Sequence, residues 1–189
     1  MSADFAAART NMVESQVRTQ DVTDLAIQDA MRHVAREALC PPAKTWMAYA
    51  DAEVEYAPGR WMLKPRDVAK LLQAIRPRAG ERALAIAAPY AAAVMEAMGL
   101  AVTQVTDGDL KTVSGEFDVV VCEGGVDRAP ASWPAALAMG GRLGVVERHG
   151  PVGHATLYLR SDDGVGSRAL FDSTPPVLAG FQPEERFSF

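Results

Sequence analysis

Three acidic side chains follow short apolar runs, which is where an α/β sheet presents groups to a ligand. Asp107 and Asp109 come after the run 101–105, and Glu123 comes after the run 117–122. A carboxylate in such a position can accept hydrogen bonds from a bound molecule. The plainer interpretation, which we favour, is that these acids are solvated in glycine-containing turns.

The cysteines and histidines lack the spacing of a metal-binding set or a disulfide framework. Cys40 and Cys122 lie far apart in different sequence contexts, and His33, His149 and His154 follow no ligand pattern. We therefore predict two reduced, partly buried thiols and no metal site.

The composition is that of a globular protein with one core. The chain has 189 residues, of which 49% are apolar and 23% are charged, and this length suits one domain. Its net charge of −5 provides no general attraction to nucleic acid or to anionic lipid, so we expect neither as a partner.

Nothing in the sequence indicates a membrane or secreted protein. No apolar run approaches the roughly 18 residues that a membrane span needs. Residues 1–18 carry Asp4 and Glu14 and lack a cationic start followed by an apolar core, so they do not look like a signal peptide. We therefore expect a cytoplasmic protein.

Three helices are predicted before the first strand of the sheet. The first covers residues 4–18, where apolar residues form a rough stripe. The second follows the cap candidate Asp24 and continues to Ala38, and the prolines at 41–42 then stop it. The third begins with Pro65 in its first turn, where a missing amide proton costs nothing. The first two form a helical pair that can lie against a larger unit.

From residue 82 onward, short apolar runs alternate with helices. The run 117–122 is the clearest strand, because it is apolar on both faces, as in a sheet covered by helices on each side. The predicted strands are 82–88, 101–105, 117–122, 142–147, 154–160 and 168–171, and the predicted helices between them are 90–98 and 134–139. The last two strands alternate more and favour an antiparallel edge hairpin.

Strands separated by helices predict an α/β fold with a doubly wound, mostly parallel sheet. Right-handed crossovers place a ligand beyond the carboxyl ends of the strands, near the point where the strand order reverses. In this chain we expect that point at the turn 87–90.

Several segments, in this order, resemble the protein-L-isoaspartate O-methyltransferase family. They are Met12–Arg18, Asp24–Pro42, Tyr49–Asp51 followed by Pro58–Arg60, Phe117–Val121, Gly140–Leu143, and 170–189, the last resembling a bacterial sub-group. The similarity covers nearly the whole chain. Each motif alone is weak, and their order makes the match specific.

The resemblance implies a methyltransferase-like sheet preceded by N-terminal helices, in a single domain over residues 1–189. Residues 1–63 would form the helical segment and an active-site-like loop, and residues 64–189 the core sheet and helices. The family transfers a methyl group from S-adenosylmethionine to the carboxylate of an isoaspartyl residue, which repairs the protein. That reaction depends on positioning, with a glycine-rich loop against the cofactor and an acid on its ribose.

This chain departs from the family at those positions. The glycine-rich loop falls on residues 85–90, which contain no glycine and include Pro89. The ribose acid falls on Thr106, with Asp107 adjacent, and Leu63 stands in place of a serine. Losing two hydrogen bonds to a carboxylate costs roughly 1.5–3 kcal/mol each, enough to weaken affinity about a hundredfold or more.

A fourth departure is length. Only residues 106–116 separate the second and third predicted strands of the sheet, where the family has a helix, a strand and a loop. A parallel crossover usually takes about a dozen residues or more. We therefore predict that one edge strand and its helix are missing, which removes one wall of the adenosine pocket.

The departures favour a non-catalytic interaction or scaffolding protein with no catalytic residue and no cofactor. A remnant of the cofactor site would comprise Ala87, Ala88, Pro89, Tyr90, Thr106, Asp107, Asp109 and Glu123. The alternative is an active S-adenosylmethionine-dependent carboxyl methyltransferase, acting on isoaspartyl residues or a changed substrate, with a site rebuilt on the last three of these. A third, weaker possibility is another small molecule in the vacated pocket.

A protein partner or self-association is expected in either case. A missing strand and helix expose a sheet edge or face, and such surfaces are often covered by a partner or a second copy. Trp46, Trp61 and Trp133 could line an interface, although core packing explains at least some of them.

Overall fold

A six-stranded sheet organises residues 4–183, which are the residues that the computed structural model describes. The strands of the chain are β1 (Val54–Ala57), β2 (Arg60–Met62), β3 (Arg82–Ile86), β4 (Ala101–Val105), β5 (Phe117–Val126), β6 (Leu137–His149), β7 (Val152–Ser161) and β8 (Gly164–Asp172). The sheet has the order β4-β3-β5-β6-β7-β8, and β1 and β2 form a separate antiparallel hairpin. Within this sheet, β4, β3, β5 and β6 are parallel to one another. Strands β7 and β8 are added antiparallel at one edge.

Between residues 4 and 183, five α-helices accompany the strands. They are α1 (Phe5–Met12), α2 (Leu25–His33), α3 (Pro65–Ile75), α4 (Pro89–Ala97) and α5 (Ser132–Ala135). A π-helical turn and a 3-10 turn extend α1 to Gln20. Asp24 caps α2 by accepting hydrogen bonds from the amides of Ala26 and Ile27. Every helix within residues 4–183 is too short or too polar to traverse a lipid bilayer.

The predicted α/β class, the parallel sheet and its antiparallel edge hairpin are confirmed. Several boundaries differ from the prediction. Residues 137–139 were expected to be helical, but β6 already begins at Leu137, which pairs with Phe117 across an irregular step in the register. The second helix ends at His33 rather than Ala38, because Val34 is extended and the next turn directs Arg36 into the core.

The two faces of the sheet are covered in different ways. On one face, α3 and α4 pack with the N-terminal helices through residues such as Leu71, Ile75 and Met95. On the other face, Trp133 of the short α5 is fully buried and donates its indole hydrogen to the carbonyl oxygen of Leu110 at 2.8 Å. The short helix α5 and the loop that contains Leu110 therefore cover this face in place of a complete layer of helices.

The predicted loss of an edge strand and its helix is confirmed. Residues 106–116 join β4 to β5 without forming either element. As a result, β4 lies at the edge of the described sheet, and Ala101, Thr103 and Gln104 are exposed.

Gly124 has φ +101 and lies against Leu178, so a larger residue at this position should destabilise the fold. A β-carbon there would lie 2.5 Å from Cδ2 and 2.8 Å from Cγ of Leu178, whose side chain is fully buried. We expect Gly124→Ala to lower the free energy of unfolding by about 2 to 4 kcal/mol. Urea denaturation measures this loss.

Gly108→Ala is the matched control. Gly108 has φ +76, and its added β-carbon would meet nothing within 4 Å. We expect a loss of about 1 kcal/mol from backbone strain alone. Equal losses in the two variants would show that the contact with Leu178 contributes nothing.

Candidate functional site

The turn after β3 keeps a backbone conformation that favours glycine, although it contains none. Ala87 has φ +46 and donates its amide hydrogen to the carbonyl oxygen of Val105 at 2.8 Å. This left-handed conformation costs an alanine roughly 1 to 2 kcal/mol. Ala87 and Ala88 are both buried, so their β-carbons fill the space beside the backbone.

Glu123 lies at the centre of this region and is fully buried. One carboxylate oxygen accepts a hydrogen bond from the amide of Ala91 in the first turn of α4, at 2.7 Å. The other accepts from the amide of Leu63, at 3.0 Å. The carboxylate therefore joins β5, the start of α4 and the segment that precedes α3.

The interpretation of Glu123 as a solvated turn residue is wrong. Strand β5 does not end at Cys122 but continues to Val126, so Glu123 lies within the sheet. The segment 175–181 then folds over the strand, with the amides of Gly125 and Leu178 donating to the carbonyl oxygens of Pro176 and Gly125.

Arg36 is a second fully buried charge at this place. Its guanidinium donates to the carbonyl oxygens of Ala48 at 2.8 Å and Leu63 at 2.7 Å. It also lies 4.5 Å from the ring centroid of the buried Tyr90. Leu63 is thus held on both sides, because Glu123 binds its amide and Arg36 binds its carbonyl.

Sequence reasoning missed Arg36. The available signal was weak: an arginine inside the second predicted helix, between residues of its apolar stripe, is usually solvated. Its burial depends on the early end of α2, which periodicity did not indicate.

The other residues of the predicted cofactor-site remnant lie in two different parts of the structure. Ala87, Ala88 and Tyr90 are buried beside Glu123, and Pro89 is half-buried. Thr106, Asp107 and Asp109 lie on the loop after β4, where Thr106 is half-buried and both acids are exposed. Asp109 lines a cavity of about 260 Å³ together with Arg60, Leu110 and Phe181. None of the residues 87–90 lines that cavity.

Burial is the largest influence on the pKa of Glu123 and raises it above its ordinary value. Arg36 and the amides of Ala91, Leu63 and Tyr90 oppose that rise. Burial also raises the pKa of Tyr90 and of the Cys122 thiol. Within residues 4–183, no group of His, Cys, Asp or Glu side chains is arranged to hold a metal ion.

Glu123→Gln tests the carboxylate directly. A glutamine oxygen can accept from one amide, but its NH2 group leaves the other amide unpaired, so we expect a loss of about 1 to 3 kcal/mol in the free energy of unfolding. Because the folded-state pKa of Glu123 is raised, its contribution is complete below the unfolded pKa of about 4.3 and declines as pH rises through the folded value.

The stability difference between wild type and Glu123→Gln should therefore shrink as pH rises, measured by urea denaturation at several pH values. Glu116→Gln, at an exposed acid, is the control and should change stability by less than about 0.5 kcal/mol. A difference that grew with pH would contradict the raised pKa.

Several relatives named protein-L-isoaspartate O-methyltransferase are similar to this chain. The one from Methylorubrum populi is 34% identical over 179 residues, covering 80% of this chain and 84% of the relative. The one from Rhodopseudomonas palustris (strain HaA2), which carries the number 1 in its name, is 32% identical over 168 residues, covering 74% and 69%. A relative from Methylorubrum extorquens is 42% identical over 101 residues, which span only 44% of its length. No family model matches the chain.

Two solved structures share the fold. A protein-L-isoaspartate O-methyltransferase superposes with a TM-score of 0.72 at 21% identity, covering 91% of this chain and 66% of the other. A protein-L-isoaspartate O-methyltransferase from Plasmodium falciparum, solved in complex with S-adenosyl-L-homocysteine, gives 0.73 at 14% identity, covering 90% and 97%. At identities below 25%, these two superpositions show the fold alone. The Methylorubrum populi and Rhodopseudomonas palustris matches show the family. The chain therefore belongs to the protein-L-isoaspartate O-methyltransferase family.

Proposed function

We propose that this family member has lost the methyl-transfer reaction and acts as a non-catalytic interaction or scaffolding protein in the cytoplasm. The observation that carries the proposal is the buried Glu123, which accepts hydrogen bonds from the amide of Ala91 in the first turn of α4 and from the amide of Leu63. In a doubly wound sheet, the amides at the start of a helix that follows a strand are among the groups that bind the ligand, and Glu123 occupies one of them.

The energetic argument concerns what a ligand would have to displace. A nucleotide bound against α4 would compete with Glu123 for the amide of Ala91 and leave that carboxylate buried without its partners. Leaving a buried hydrogen-bonding group without a partner costs about 1 to 3 kcal/mol. That penalty alone lowers affinity by roughly 5- to 140-fold, at about 1.4 kcal/mol for each tenfold.

The turn 87–90 supports the same conclusion. In the buried Ala87 and Ala88, β-carbons stand where the family has glycine, so a cofactor cannot come as close to the main chain. Leu63, in place of the family serine, is fully buried and has no hydroxyl to hydrogen-bond a carboxylate.

The names of the relatives favour a second candidate function, an S-adenosylmethionine-dependent carboxyl methyltransferase acting on isoaspartyl residues or a changed substrate. It would need a rebuilt cofactor site. Asp107 and Asp109 are exposed and could take part, but the cavity beside Asp109 is only about 260 Å³, against roughly 300 to 1,000 Å³ for ordinary ligand pockets. Glu123 is already bonded to two amides.

Titration calorimetry with S-adenosylmethionine separates the two functions. We expect no saturable heat, which corresponds to a Kd weaker than about 1 mM, because Glu123 and the β-carbons of the turn exclude the cofactor. An active enzyme of the family, titrated under the same conditions, is the positive control. A micromolar Kd for this chain would contradict the proposal.

A transfer assay tests the reaction itself. With methyl-labelled S-adenosylmethionine and an isoaspartyl peptide, we expect no label above the level without protein. Leu63→Ser restores the family residue, and we expect it to remain inactive because the cofactor still cannot bind. Label transfer by the wild type, abolished in Glu123→Ala, would instead support the active methyltransferase.

A further inference from the structure

A groove of about 670 Å³ lies between the end of α3 and the antiparallel strands β7 and β8. Its floor is apolar and includes Leu157, Leu159, Leu170 and Phe171. Leu157 is nearly buried, whereas Leu159 is 45% exposed. The floor is therefore a part of the sheet face that α3 does not cover completely.

The groove exists because α3 stops early. Arg76 adopts a left-handed conformation with φ 49, and Pro77 follows it, so the helix cannot continue over the outer strands. The ammonium of Lys70 on α3 lies 4.2 Å from the ring centroid of Phe171, which places this cation at the edge of the apolar floor.

The rim of the groove carries an excess of positive charge. Four cationic residues line it: Lys70, Arg76, Arg78 and Arg168. In the part of the chain that the structure describes, none of their charged side-chain groups lies within 4.0 Å of a carboxylate oxygen, although the backbone amide of Arg78 donates to Glu81. Arg142 also lines the groove, but Glu81 pairs with it at 3.0 Å.

This charge contrasts with the protein as a whole. The net charge of the chain is −5, yet Asp21 is the single acidic residue among those that line the groove. Unpaired cations around an apolar floor are complementary to a ligand that carries both carboxylates and apolar side chains.

We propose that this groove binds an acidic segment of a partner protein, with its apolar side chains on the sheet floor and its carboxylates at the four unpaired cations. Arg168 on β8 pairs with Leu157 on β7, and Leu170 and Phe171 follow at a register irregularity, so a cation and apolar side chains adjoin along the groove. An extended segment that combines acidic and apolar residues matches this arrangement.

The chemistry of the groove favours a protein segment over nucleic acid. A phosphate backbone has no apolar side chains for Leu159, Leu170 and Phe171 to contact. A second copy of the chain is the other possible occupant, and the oligomeric state tests it.

The inference extends the proposed function, because a protein kept for interaction needs a binding surface. The groove shares no residue with the site around Glu123, Leu63 and Ala91. Peptide binding and cofactor binding are therefore measured separately. If the chain bound both the peptide and S-adenosylmethionine, the non-catalytic proposal would be wrong and the proposal for the groove would still hold.

Fluorescence anisotropy tests the groove with a short labelled peptide in which glutamate alternates with leucine and phenylalanine. We expect saturable binding to the wild type that weakens with salt. The double variant Arg78→Glu and Arg168→Glu should weaken it about tenfold or more, because two attractions become repulsions. Both arginines are exposed, and thermal unfolding checks that the variant is folded.

The controls locate the binding. Arg128→Glu makes the same charge change at an exposed arginine outside the groove and should change the Kd by less than about twofold. Leu159→Ser, on the floor, should weaken binding severalfold without changing the charge. A peptide with glutamine in place of glutamate should bind more weakly than the acidic one.

Three outcomes would overturn the proposal. One is a double variant that binds the acidic peptide as tightly as the wild type. Another is a DNA oligonucleotide that displaces the peptide at equal concentration. The third is light scattering that shows a dimer which the double variant disrupts, together with no peptide binding by the wild type, since the occupant would then be a second copy.

Discussion

The structure depends on a buried carboxylate that no solvent reaches. Glu123 on β5 accepts hydrogen bonds from the amides of Leu63 and Ala91, and Arg36 binds the carbonyl of the same Leu63. A buried charge is costly unless it is hydrogen-bonded and opposed by another charge. Here the carboxylate has two hydrogen bonds, and the nearby charge of Arg36 favours its ionised form. Four separate segments of the chain are thereby fixed relative to one another at the ligand end of the sheet.

The shortened link between β4 and β5 has its own structural consequence. Without a helix there, that face of the sheet is covered by Trp133, Leu110, Leu178 and Phe181, which pack as one cluster. The tail segment that supplies Leu178 also crosses β5 next to Glu123 and bonds to Gly125. The same tail segment thus both helps to cover this face of the sheet and pairs with the end of β5.

Much of the fold could be predicted because its signals are local. The run 117–122 is apolar on both faces and forms the central β5, and Pro65 correctly marks the first turn of α3. The absence of glycine from the turn 85–90 is also visible in the sequence. The burial of Glu123 and Arg36 is not, because it depends on how residues 54–63 and 175–181 fold over the strand ends. Such contacts join residues far apart in the chain, and neither periodicity nor composition reports them.

The most direct test of the central claim is amide hydrogen exchange at Leu63 and Ala91, followed by NMR with and without excess S-adenosylmethionine. If Glu123 holds both amides, they exchange slowly, and neither their exchange rates nor their chemical shifts change when the nucleotide is added. Saturable shifts at these two amides, with altered exchange, would show that the nucleotide displaces the carboxylate and would contradict the account.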